Sequence, residues 1–122
     1  MKENVIQRKS FEFAVRIVKL YKLLCDDRRE FTLAKQLLRS GTSIGANVRE
    51  AINAESLSDF IHKYAVAQKE CDETIYWLEL LKETNYITKA EFDSINNDAE
   101  ELLKIIRSII LTSKQRNSKK QK

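Results

Sequence analysis

The chain has no proline, two glycines, one histidine and two cysteines, and no apolar run approaches a membrane span, which needs roughly 18 residues. Each scarcity removes a class of protein. A sheet sandwich needs many turn residues, so the shortage of proline and glycine argues against one. A di-metal carboxylate bundle wants a Glu-x-x-His element on each of two helices. Here only Asp59-Phe60-Ile61-His62 comes near that pattern, and no second histidine exists. Nucleophilic catalysis fares no better, because there is no Gly-x-Ser-x-Gly turn, no phosphate-binding glycine loop and no evident triad around His62. Cys25 and Cys71 lie far apart with no metal-spaced partner, which reads as two reduced, partly buried thiols. No enzyme activity, metal or cofactor is expected. The polar stretch Met1–Ser10 shows no secretory signal, so a soluble cytoplasmic protein is expected.

What remains is rich in leucine, isoleucine, alanine, glutamate and lysine, the residues of helices joined by short connections. Four apolar stripes at steps of three and four bear this out. The first helix is expected from about Lys9 to Leu24, after an irregular lead-in over 1–8. Asp27 and Glu30 match a capping box ahead of a second helix that starts at Phe31 and runs to about Ile52. Ser56 with Asp59 opens a third helix over 58–83, and Thr88 with Glu91 is the cleanest capping box of the chain. From Ser113 the sequence is polar and basic with nothing to bury. The reading is an all-α, up-down-up-down antiparallel four-helix bundle, one domain over 1–113, with a basic disordered tail over 114–122. Off-stripe apolar residues on helices one, three and four exceed what one core absorbs, which points to a homo-oligomer interface.

The glycines fall in Ser40-Gly41-Thr42-Ser43-Ile44-Gly45-Ala46-Asn47, yet Leu37, Leu38, Gly41, Ile44, Gly45, Val48 and Ile52 keep helical spacing through it. A loop would lose the period. The stretch therefore reads as helix whose small residues let a neighbouring backbone approach closely.

The segment Leu37 to Glu50 resembles the signature of small four-helix bundle proteins encoded in intervening sequences of bacterial 23S ribosomal RNA genes, the S23 ribosomal protein family. Ser58-Asp59-Phe60-Ile61, Ala67, Lys69, Glu79-Leu80 and the capped fourth helix extend the resemblance over about 9–112. The family is similar in fold to accessory proteins of diversity-generating retroelements, which form barrel-like pentamers that associate with nucleic acid and a reverse transcriptase. The resemblance implies a homopentamer here. Gly45 stands where many members have proline, Arg49 precedes Glu50, and Ala51 replaces a glycine. These departures leave the fold intact but loosen any claim to a shared ligand at the corner between helices two and three.

Charge suggests the partner. Residues 8–49 hold ten Lys or Arg against four acids, residues 50–106 thirteen acids against five bases, and 107–122 six bases and no acid. Lys19, Lys22, Arg28, Arg29, Lys35, Arg39 and Arg49, with tail residues Lys114, Arg116, Lys119 and Lys120, are candidates for salt-sensitive contacts to RNA or DNA phosphates. The competing reading is a scaffold whose acidic helices meet a protein partner. Asn47 and Glu50, at i and i+3, either recognise a partner or phosphate, or else cap and cross-link the corner with help from Arg39.

Overall fold

The computed structural model describes residues 4–120, with side chains to residue 118. Four helices appear in order: α1 (Val5–Asp26), α2 (Thr32–Ile52), α3 (Leu57–Glu83) and α4 (Lys89–Lys120). Residues 27–31, 53–56 and 84–88 connect them. Such short links force each helix back alongside its predecessor, giving an up-down-up-down bundle. α1 packs on α2 and α4, and α3 packs on the same two, so no diagonal pair touches among the described residues. The core lies along the central axis. Ile6, Phe13, Ile17 and Leu24 of α1 meet Leu37, Ile44 and Val48 of α2, Tyr64, Leu78 and Leu81 of α3, and Ile95, Leu102 and Ile106 of α4.

α1 begins four residues before the expected start. Asn4 caps it by accepting the Gln7 N–H at 3.2 Å, and Ile6 is buried, so the lead-in is helix from Val5. The expected Asp27–Glu30 box does not form. Phe31 occupies the N-cap position of α2 with no side-chain bond, while the buried Glu30 carboxylate accepts the Ala34 N–H at 2.8 Å. Glu30 therefore serves the same orphan donors from one position further out.

The other two caps follow expectation. Ser56 Oγ accepts the Asp59 N–H at 3.0 Å. Thr88 and Glu91 bond reciprocally, at 3.1 Å to the Thr88 hydroxyl and 2.8 Å to the Glu91 carboxylate. α3 ends in a Schellman arrangement, with Tyr86 N–H to the Leu81 carbonyl and Asn85 N–H to that of Lys82. Asn85 takes the left-handed φ of 68° that this ending requires.

α4 continues where a disordered tail was expected, through Ser113 to Lys120. No proline or glycine interrupts it, lysine, glutamine and arginine are good helix formers, and Ser113 is buried near Phe60. Residues 121 and 122 of that segment lie outside the described residues.

α2 passes through both glycines without a break. A Cβ on Gly41 would stand 2.7 Å from Ile17 Cγ1, and one on Gly45 would stand 3.3 Å from the Ser10 carbonyl oxygen. α1 thus lies against α2 at the distance the small residues permit. Ser40 also hands its hydroxyl across the bundle, accepting from Thr74 Oγ1 at 3.0 Å and fixing the register of α2 on α3.

Candidate nucleic-acid interface

The cations expected to face phosphate divide into those the bundle already uses and those it leaves in solvent. Arg28, just beyond α1, reaches across to the start of α4. Its guanidinium holds both Glu91 oxygens, at 2.9 and 2.8 Å, and the Tyr86 carbonyl at 2.7 Å. This fork-to-fork bond, together with the Thr88 N–H, pulls the Glu91 carboxyl down to about 2. Bonding to Glu91 raises Arg28 in turn. Arg39 of α2 pairs with Glu70 at 3.2 Å and with Glu73 of α3. The Arg39 bond lowers Glu73 against the opposing effect of burial. Both arginines are structural ties first.

Two further cations outside that set behave the same way. Lys9 meets Glu101 at 3.0 Å, and Arg16 meets Asp98 at 2.6 Å and Ser94 Oγ at 2.9 Å. The basic first half of the chain and its acidic second half therefore satisfy each other across helix boundaries. The uneven charge along the sequence is in large part an internal complementarity. The signal was present in the sequence, since an up-down-up-down bundle sets α1 beside α4 and α2 beside α3.

Lys19, Lys22 and Lys35 are exposed and make no ion pair among the described residues. Lys19 borders a cleft of about 580 Å³ between α1 and α4, whose apolar wall includes Leu20, Leu23 and Ile95. Arg29 holds a left-handed φ of 57° in the α1–α2 connection, with its guanidinium 5.5 Å from the Phe31 ring centre. Lys22, Arg29 and Lys35 thus gather at the α1–α2 loop end. Arg49 lies towards the other end, 6.0 Å from the ring centre of Phe11. Lys114 and Arg116 project from the last turns of α4, with Arg116 beside Phe60 and Ile109. Lys119 and Lys120 end α4, and their side chains lie outside the described residues.

Asn47 and Glu50 do not form the expected corner. Asn47 Nδ2 donates to the Ser43 carbonyl of its own helix at 2.9 Å. Glu50 is exposed and approaches Lys63 of α3 at 3.8 Å, while Arg39 is engaged further down α3. The pair contains no buried charge.

Cys71 is buried, with its thiol directed at the Ala99 carbonyl and pushed up to about 12 by burial. Cys25 is half-buried and also free. His62 is exposed, and no group of three or more His, Cys, Asp or Glu side chains among the described residues is placed to hold a metal. No helix among them is long and apolar enough to cross a membrane.

A feature the charge pattern concealed is apolar. Phe11 is 57% exposed, and Phe11, Ala14, Gly45 and Ala46 line an open groove of about 380 Å³ between α1 and α2. Val15 extends the exposed apolar surface down α1. On α3 the exposed ring of Tyr76 stands edge-on to Trp77.

Comparison with known proteins places these features in context. A family model described as "23S rRNA-intervening sequence protein" matches residues 2–108. A solved structure from Bacteroides thetaiotaomicron, a protein of unknown function from the S23 ribosomal protein family, is similar to the chain at 58% identity and a TM-score of 0.86. The match covers 87% of this chain and 98% of that one. None of the curated proteins matches.

Proposed function

The chain belongs to the family of 23S rRNA-intervening sequence proteins, and from that membership we propose that this non-enzymatic bundle works as a homo-oligomeric scaffold. One observation carries the reading: α1 presents Phe11 and Val15 to solvent beside a small-residue groove, an apolar face larger than a monomer of this size needs to expose. The similarity in fold to the barrel-forming accessory proteins of diversity-generating retroelements supports five as the subunit count. Two free cysteines suit a reducing, cytoplasmic setting. Sedimentation of the purified protein tests it, since a pentamer sediments at five times the 14.3 kDa of one chain. A single-chain mass at micromolar concentration overturns it.

A second reading, binding of RNA or DNA through backbone phosphates, rests on Lys19, Lys22, Arg29 and Lys35 having no acid partner in the bundle. Repetition around an oligomer would add weak contacts through multivalency. Anisotropy of labelled structured RNA and duplex DNA, read at several salt concentrations, decides it. Micromolar affinity that falls steeply with salt supports this reading, and no binding at low salt removes it. A protein partner for the acidic helices is the remaining use of the scaffold.

A further inference from the structure

The molecule carries opposite characters on opposite sides. On the α1–α2 side, Phe11, Ala14, Val15, Val18 and Lys22 recur at steps of three and four along one stripe of α1, and Lys35 stands across from them on α2. The centre of this side is apolar and its unpaired charges are positive. The α3–α4 side reverses the sign. There Tyr76 is 56% exposed, and Glu79 and Glu100 are exposed with no cation partner among the described residues.

Height along the bundle matches as well. The Ser40–Thr74 bond pins α2 to α3, and Lys35 lies as far before Ser40 as Glu79 lies after Thr74. Lys22 sits near the same loop end of α1. Two copies placed side by side with the same polarity therefore bring Lys22 and Lys35 level with Glu79, and set the exposed apolar stripe of α1 against Tyr76.

We propose that the α1–α2 face of one copy docks on the α3–α4 face of the next, head to tail. This rests on the reading that the chain self-assembles, and it adds which surfaces meet. Because the two faces differ and lie on opposite sides, every copy offers both, and the contact repeats until a ring closes. The Lys22, Lys35, Glu79 and Glu100 charges select this pairing over a face meeting its own kind, where like charges would oppose.

The test uses charge exchange on the full chain. Lys22→Glu with Lys35→Glu forms one variant, Glu79→Lys with Glu100→Lys a second, and all four changes a third. Far-UV circular dichroism confirms each bundle is folded, as expected because none of these residues makes an ion pair within it. Each two-site variant should sediment as a single chain at low salt, with association weakened about 100-fold. The four-site variant, and an equimolar mixture of the two-site variants, should recover the assembled mass. Two-site variants that keep the wild-type mass, or a four-site variant that stays single, overturn the head-to-tail pairing while leaving self-assembly standing. A wild-type protein that sediments as one chain overturns self-assembly itself, and this pairing with it.

Discussion

Helix α1 is held by different means on its two flanks. Against α2 it is fitted by shape: Ile17 lies over Gly41, the Ser10 backbone lies over Gly45, and the gap leaves no room for a further atom at the first of these. Against α4 it packs more sparsely, with a cleft of about 580 Å³ in the seam. Three ion pairs span that seam, Lys9–Glu101, Arg16–Asp98 and Arg28–Glu91. Shape gives a contact that salt and pH barely touch and that one added methyl disturbs. Charge gives a contact that tolerates side-chain volume and responds to the solvent.

The sharpest way to break the first flank is Gly41→Val. A Cβ there already falls within 3.0 Å of three Ile17 atoms, all in a residue with no exposure. Stability in urea should fall by about 3 kcal/mol, the upper end of overpacking costs. Adding Ile17→Ala should cost less in that background than in the wild type, which a double-mutant cycle measures.

The second flank is best probed at Arg28→Ala. Glu91 is held at about 2 against an ordinary 4.5, so its contribution is complete above the unfolded value and drains away as pH falls from about 4.5 towards 2. The variant should lose about 1 kcal/mol at neutral pH, and its stability should decline less than that of the wild type across this acid range. Carboxyl NMR should find Glu91 back near the usual carboxylate range. An unmoved Glu91 would show that the Thr88 N–H alone sets it.

Smaller effects sharpen the contrast. Lys9→Met and Arg16→Met should each cost under about 1 kcal/mol, and the loss should shrink in 1 M salt. The Gly41→Val loss should not. Gly45→Ala should come out smallest. Its Cβ meets the Ser10 carbonyl at 3.3 Å, a crowding of a few tenths of an ångström, set against about 1 kcal/mol of gained helix propensity. Thermal melts should place it within about 0.5 kcal/mol of the wild type. A loss as large as that at Gly41 would mean that α1 and α2 cannot shift at either crossing.

The same contrast explains what could be read from the residues in advance. Shape was legible. Gly41 and Gly45 kept the apolar period of α2, so their role as a close crossing followed from spacing alone, as did the Ser56 and Thr88 caps. Charge pairing was not, because Arg28 and Glu91 are remote in sequence and nothing local to either distinguishes an arginine tied to glutamate from one awaiting phosphate. Arg39 misled for the same reason. Asn47 and Glu50 looked coupled by spacing, yet Asn47 bonds within its own turn and Glu50 turns to Lys63. The start of α1 escaped because Asn4 lies beyond the apolar stripe, and the last turns of α4 because polarity alone does not end a helix rich in lysine and glutamine.

The α1–α4 seam also differs from the others in when it can form. The α1–α2, α2–α3 and α3–α4 seams each join neighbours through a short connection, whereas Lys9 and Glu101 are 92 residues apart. Its closure must overcome the longest loop in the chain, so it is the step that waits for the rest. α1 is then the stave set last into the barrel of the bundle. Salt should slow that final step more than it weakens the finished fold, and native-state hydrogen exchange should find the α4-facing side of α1 opening before the glycine crossing does.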